Sequence, residues 1–183
     1  MSANTQQLYE QTLVLRSQIG DELAFEELLK LYGPNLILFT RKMMQTSPHL
    51  VEDAVQEIWL AIYKGLPALR DASKFRAWAF RIARDRIYRE YRRRKLALEL
   101  VEESHLEELP DAGSVNAILD VEELHRGLEA ISPHHREVLV LCFFEEMSYE
   151  EIADVTDSTL GTVRSRIHYA KRALRNALER KRS

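Results

Sequence analysis

Residues 96–125 contain no lysine or arginine and carry nine carboxylates, a net charge of −9. On the amino side, residues 70–95 hold eleven basic side chains against Asp71, Asp85 and Glu90, a net of +8. On the carboxyl side, the stretch from Arg164 to the end holds eight against Glu179, a net of +7. Blocks of one sign repel internally and attract their neighbours, so two cationic surfaces separated by an anionic connector are expected rather than one evenly mixed surface. The overall charge of −3 conceals this division. Pro110 and the turn-forming Asp111-Ala112-Gly113-Ser114 fall inside the acidic block, which marks residues 96–117 as a flexible linker between domains at 1–95 and 118–183. A length of 183 residues suits that division, at ~100–200 residues per domain.

No stretch alternates apolar and polar residues in the manner of a half-buried strand, whereas helical spacing recurs almost throughout. Breaks are expected at Gly33-Pro34, Ser47-Pro48, Gly65-Leu66-Pro67 and Ser132-Pro133. The spacing therefore predicts an all-α protein of two helical domains.

In the helix beginning near Leu50, Val51, Ala54, Val55, Ile58 and Ile62 form one apolar stripe. Glu52, Asp53, Gln56 and Glu57 lie opposite. Composition leaves two readings of that polar face, a solvated helix start favouring acids or an acidic docking surface. In the next helix Phe75, Trp78, Ala79, Ile82 and Ala83 are expected in the core. Arg76, Arg81, Arg84, Arg86, Arg89 and residues 92–94 are too many to bury, and few acids interleave for i, i+4 pairing. Cations interspersed with aromatic rings such as Tyr88 suit opened nucleic acid, whose phosphates take guanidinium groups and whose bases stack.

Ser132-Pro133 supplies an N-cap followed by proline at the first helical position. The run at 138–144 is apolar on all sides and predicts a buried helix, with Cys142 as a small buried residue. Ser148 to Glu151 reads as a capping box opening a short helix, and residues 156–159 as a turn and N-cap before the last one. Together these give a helix-turn-helix. In the last helix Leu160, Val163, Ile167, Ala170 and Leu174 make the inward stripe. Thr162, Ser165, His168, Tyr169 and Arg172 are presented outward with Arg164 and Arg166 at the flanks, a set able to hold phosphates and read a major groove.

One cysteine allows no internal disulfide, and no thiolate or carboxylate completes a metal spacing with His134, His135 or His168. No metal, cofactor or catalytic residue is expected. An enzyme acting on nucleic acid would call for clustered carboxylates or a glycine-rich phosphate loop, and the sequence has neither. No apolar run approaches the ~18 residues that cross a bilayer, and the first ten residues lack a signal pattern. A cytoplasmic protein without membrane insertion is expected.

Four groups of residues resemble the extracytoplasmic-function type of bacterial sigma-70 RNA polymerase sigma factors. They lie at 20–28 (GDELAFEEL), at 51–59 (VEDAVQEIW), at 75–83 (FRAWAFRIA) with Arg92-Arg93-Arg94, and at 136–139 (REVL) with 148–153 (SYEEIA) and 161–166 (GTVRSR). The resemblance implies that Glu52, Asp53, Gln56 and Glu57 dock on the β′ clamp helices of core RNA polymerase. It assigns Arg76, Arg81, Arg84, Arg86, Tyr88 and Arg89 to opening and reading the -10 element. Thr162, Arg164, Ser165, Arg166, His168, Tyr169 and Arg172 fall to the -35 element. Partners implied are the polymerase β and β′ subunits, promoter DNA and an anti-sigma factor, with the acidic linker running through the cationic RNA-exit path. Asp85 and Arg89 stand where the family commonly has Asn and Asp, so no -10 preference carries over. Residues 156–158 read Thr-Asp-Ser where Leu-Gly-Ile is frequent. The alternative function is that of a stand-alone helix-turn-helix transcriptional regulator whose first domain is a sensor.

Overall fold

The computed structural model describes residues 3–99 and 121–179. Every regular element among them is helical, and they divide into two compact units, one built mainly from residues up to Arg89 and the other from Glu90 onward.

The first unit contains α1 (Ala3–Gln18), α2 (Glu22–Met44), α3 (Pro48–Gly65) and most of α4 (Phe75–Glu99). Asp21 starts α2 by accepting the Ala24 amide proton at 3.1 Å, and Arg16 pairs with it at 2.7 Å, so its carboxyl is held below the usual range by the backbone bond first and the guanidinium second. The break expected at Gly33-Pro34 does not occur: α2 runs through Pro34. Leu28, Tyr32, Leu36, Phe39 and Met43 are buried along one face across the proline, and the packing of that stripe outweighs the lost backbone bond. Pro34 itself faces solvent.

Ser47 precedes α3 with Pro48 at its first position, two residues earlier than the sequence suggested. The predicted stripe of Val51, Ala54, Val55, Ile58 and Ile62 is buried. After Gly65 the chain tightens into two 3₁₀ turns, Leu66–Ala68 and Ala72–Lys74. Gln18 at the end of α1 donates its amide protons to the carbonyls of Leu66 at 3.0 Å and Leu69 at 2.7 Å. That fixes the loop from which α4 departs. A Cβ on Gly65 would lie 2.9 Å from the Trp78 ring, so the glycine permits that approach.

On α4 the core residues are Phe75, Ala77, Ala79, Phe80, Ala83 and Ile87. Trp78 and Ile82, expected inside, are half-buried. The buried face is centred near Phe80, which meets Phe39 edge-on at 5.3 Å, and this displaces the larger Trp78 to the margin, 6.0 Å from Phe75. α4 continues to Glu99, four residues into the segment read as linker, and the rest of that segment to residue 117 lies outside the described residues.

The second unit contains α5 (Val121–Ala130), α6 (Pro133–Leu139), most of α7 (Tyr149–Thr156) and α8 (Leu160–Glu179). The Ser132 hydroxyl caps α6, which continues as a π-helical turn, Val140–Phe144. The run read as buried throughout is buried only to Leu141; Cys142 is half-exposed and Phe143 is 54 % exposed. The wider π turn rotates the end of the run outward, and Lys171 lies over the Phe143 ring at 5.0 Å. The reciprocal box of Ser148 and Glu151 is present, with bonds of 3.1 and 2.8 Å. Asp157 closes α7 in the left-handed region at φ +52°, where the resemblance would place glycine, because a short polar side chain tolerates that conformation. Ile152 and Val155 are buried, as are Val163, Ile167 and Ala170 of α8. Leu160 and Leu174, at the ends of the predicted inward stripe, are partly exposed. α5 and α8 meet at Gly127, where a Cβ would fall 2.8 Å from both Leu174 Cδ1 and Leu178 Cδ2.

Candidate functional site

Three groups of candidate residues occupy three helix faces. On α3, Glu52, Asp53, Gln56 and Glu57 are all exposed because the buried stripe fixes the rotation of the helix. Leu60, 52 % exposed, lies seven residues beyond Asp53 on the same face, and Tyr63 is 54 % exposed one turn further. Sequence patterning missed these two apolar additions. Tyr63 and Trp59 both pack edge-on against Phe25 of α2, at 5.1 and 5.9 Å, so this end of α3 is anchored to α2. The signal was present in the interruption of the polar stripe at Leu60.

Glu57 has a second commitment. Its carboxylate accepts from Arg86 Nε at 2.5 Å and Nη2 at 3.1 Å, a two-point bond between α3 and α4. The Glu57 side chain remains 54 % exposed and that of Arg86 only 18 %. The bond joins a residue of the predicted docking face to one of the predicted -10 face, across 29 positions of sequence.

On α4, Arg81 and Arg89 are exposed, and Arg76, Arg84, Arg86 and Tyr88 are half-buried. The Arg84 guanidinium lies 4.8 Å from the Tyr88 ring centroid and 3.2 Å from the Asp85 carboxylate. Further along, Arg93 and Arg94 converge on Glu90 at 2.9 and 3.1 Å. The Arg93 bond, followed by Arg94, holds the Glu90 carboxyl below its ordinary range against the opposing effect of burial. The cationic helix is thus buttressed by acids contributed partly from a distant segment.

On α8, Arg164, Ser165, His168 and Tyr169 are exposed, and Thr162, Arg166 and Arg172 half-buried. Thr159 caps the helix by accepting the Thr162 amide proton at 3.2 Å, and the two threonine hydroxyls are 2.9 Å apart. The Ser165 hydroxyl donates to the Thr162 carbonyl at 3.0 Å and keeps its lone pairs outward. His168 and Tyr169 meet edge-on at 5.4 Å. Among the described residues no carboxylate pairs with Arg164 or Arg166. Arg166 lies near His135, which burial first and that charge second keep neutral to lower pH than usual. The array can hold phosphates and offer hydroxyl and imidazole groups to base edges.

Arg136, the first residue of the REVL stretch, has a structural role that helical spacing did not indicate. It is buried and donates from Nε to the Leu128 carbonyl at 2.7 Å and from Nη2 to those of Ile131 at 3.1 Å and Glu129 at 3.2 Å. It completes the carboxyl end of α5, where backbone carbonyls lack helical partners.

Comparison with known proteins matches residues 28–97 to Sigma-70 region 2 and residues 127–176 to Sigma-70, region 4. The chain is 30 % identical over 187 aligned positions to the ECF RNA polymerase sigma-E factor of Escherichia coli (strain K12), covering 96 % of this chain and 97 % of that one. It is also 30 % identical to the ECF RNA polymerase sigma factor SigF of Caulobacter vibrioides over 168 positions, 92 % of this chain and 93 % of the relative. Among solved structures, CnrH in complex with the cytosolic domain of CnrY gives a TM-score of 0.71 at 26 % identity, covering 93 % of this chain and 97 % of that one. The sigma factor RpoE in complex with the anti-sigma factor NepR from Bartonella quintana gives 0.68 at 26 % identity, covering 85 % and 96 %.

Proposed function

Because the chain belongs to the extracytoplasmic-function group of the sigma-70 family and is a sigma factor directing transcription initiation, we propose that its two units divide the work of promoter use between three helix faces. The α3 face of Glu52, Asp53, Gln56 and Glu57, extended by Leu60, docks on the β′ subunit of core RNA polymerase. The α4 face of Arg76, Arg81, Arg84, Arg86, Tyr88 and Arg89 engages the -10 element as it opens, and the α8 face of Thr162, Arg164, Ser165, Arg166, His168, Tyr169 and Arg172 engages the -35 element. Domain limits at 1–95 and 118–183 and a connector between them belong to the same reading. So do contact with the β subunit, control by an anti-sigma factor, and work in the cytoplasm as a non-enzymatic subunit. No helix among the described residues is long and apolar enough to cross a membrane.

The observation that carries the reading is the coincidence of the two regional matches with two units that each expose a polar, charged helix face opposite a buried stripe. A stand-alone regulator is not favoured, because Sigma-70 region 2 occupies the part of the chain that reading needs as a sensor. The test is to reverse Asp53, which is exposed and has no described role in the fold. Asp53→Arg is expected to abolish copurification with core polymerase while changing stability by no more than about 0.5 kcal/mol, the usual range for a surface substitution. Undiminished copurification would overturn the docking assignment. Transcription by the native chain with core polymerase on a fragmented-genome template, read by start-site sequencing, would give its promoters.

A further inference from the structure

The helix α1 is apolar on two opposite sides, and the first unit uses only one of them. Leu13 and Val14 face the core, whereas Leu8, Leu15 and Ile19, on the other side, are 64, 56 and 85 % exposed. A surface helix is ordinarily polar there. Thr5, Leu8, Thr12, Leu15 and Ile19 are all exposed and follow one another at steps of three, four, three and four, the spacing of a coiled-coil seam. The Thr12 hydroxyl already donates to the Leu8 carbonyl of its own helix at 2.8 Å, so covering the seam leaves that donor satisfied. The seam is flanked by Tyr9, Gln11, Arg16 and Gln18, of which Arg16 alone is charged, and it is paired with Asp21 at 2.7 Å. Edges with so little charge do not repel a copy of themselves.

We propose that the free chain forms a reversible homodimer by antiparallel pairing of two α1 helices along this seam. The register that centres Thr12 and Leu15 on the two-fold axis sets Thr12 against Leu15 of the second copy and Leu8 against Ile19 of the second copy. Each pairing then occurs twice, as a two-fold contact requires. Tyr9 falls beside Arg16 of the second copy, a cation next to a ring. A parallel pair would instead set Thr12 against Thr12 of the second copy, and would bring Asp21, Glu22 and Glu26 of both copies to one end, where like charges repel. A seam of two heptads covers less than about 1,200 Å² over both copies, the size of weak, reversible contacts. The dimer is therefore populated according to protein concentration. The seam shares no residue with the α3, α4 or α8 faces, so the pairing is independent of the proposed function.

Sedimentation equilibrium of the purified full chain, from micromolar concentrations to about 1 mM, reads the association directly. The weight-average mass is expected to rise with concentration from 21.4 kDa toward twice that value. Ile19→Glu sets a carboxylate against Leu8 of the second copy and is expected to weaken the dimer at least about tenfold, since a charge is desolvated there without a partner. Adding Leu8→Lys to Ile19→Glu is expected to restore association, because in the antiparallel register each introduced lysine meets the introduced glutamate of the other copy. A parallel pair would set lysine on lysine and glutamate on glutamate, and the second substitution would weaken it further. Both positions are exposed, so the circular dichroism and thermal midpoint of the variants should match those of the native chain. If Ile19→Glu lowers the helical signal, Ile19→Ser replaces it as the weakening variant. A mass that stays at 21.4 kDa throughout the series, a dimer undiminished by the Ile19 substitution, or failure of Leu8→Lys to restore association would each overturn the proposal.

Discussion

The helices α4 and α8 are both rich in arginine, but they hold their charge differently. On α4, Arg84, Arg86, Arg93 and Arg94 are each within bonding distance of Asp85, Glu57 or Glu90, and part of this neutralisation comes from another helix. On α8, Arg164 and Arg166 have no carboxylate partner among the described residues, and the outward face mixes them with hydroxyl, imidazole and phenol groups. A helix on which four arginines are paired with acids is suited to a surface that acts on a conditional substrate, which the proposed function takes to be an opened strand. A helix with unbalanced cations beside neutral hydrogen-bonding groups is suited to duplex DNA that is always present. Composition alone does not separate these cases.

The comparison requires that not every arginine be a nucleic-acid contact, and Arg136 is the extreme case. Its removal leaves at least two buried carbonyls of the α5 end without their donor. Arg136→Ala is expected to lower the stability of the second unit by roughly 2–5 kcal/mol, on the scale of 1–3 kcal/mol for each unsatisfied buried group. Thermal unfolding followed by circular dichroism measures it. A loss under about 0.5 kcal/mol would place Arg136 among the functional cations instead.

A smaller effect is expected on α8, where phosphate binding and base reading can be separated. Arg164→Ala should weaken binding to all duplex sequences alike and reduce the salt slope by about 0.9. Ser165→Ala and His168→Ala should change which -35 sequences are used, since a side chain well matched to a base edge discriminates by about 1–3 kcal/mol. A randomised -35 library transcribed by each variant distinguishes them. Unaltered preference in the serine and histidine variants would remove direct base reading through those two positions.

How much of this was legible in the sequence depended on whether the deciding interaction was local. The stripe of α3, the box at Ser148 and Glu151 and the cap at Thr159 are set by residues within one or two turns, and the structure has them where the spacing put them. The continuity of α2 through Pro34, the margin position of Trp78 and the outward turn of Phe143 depend on which neighbours pack on each helix, so periodicity within the helix could not reveal them. The same applies to the site. All four polar residues of α3 were located by their spacing, but the capture of Arg86 by Glu57 crosses 29 positions and has no local pattern. Resemblance to a family supplied the roles of the faces and not this bond.

The smallest effect expected concerns Glu90, which tests whether the balancing acids of α4 contribute to stability or merely lie beside the arginines. Its carboxylate is buried and bonded to Arg93 and Arg94, and its pKa is lowered chiefly by the Arg93 bond. A depressed folded-state pKa means that the folded chain releases the proton more readily than the unfolded one. The resulting stabilisation is complete above the unfolded value near 4.5 and is lost as pH falls through the lower folded value. Both arginines are partly exposed, so screening keeps the contribution small despite the burial of the acid. Glu90→Gln is therefore expected to cost about 1 kcal/mol at neutral pH, and the gap between native and variant should narrow progressively below pH 4.5. Urea unfolding at a series of pH values measures the gap. A difference that stayed constant down to about pH 2, well below the ordinary carboxylate range, would mean that Glu90 acts through shape rather than charge, and the electrostatic contrast between α4 and α8 would then make no contribution to stability.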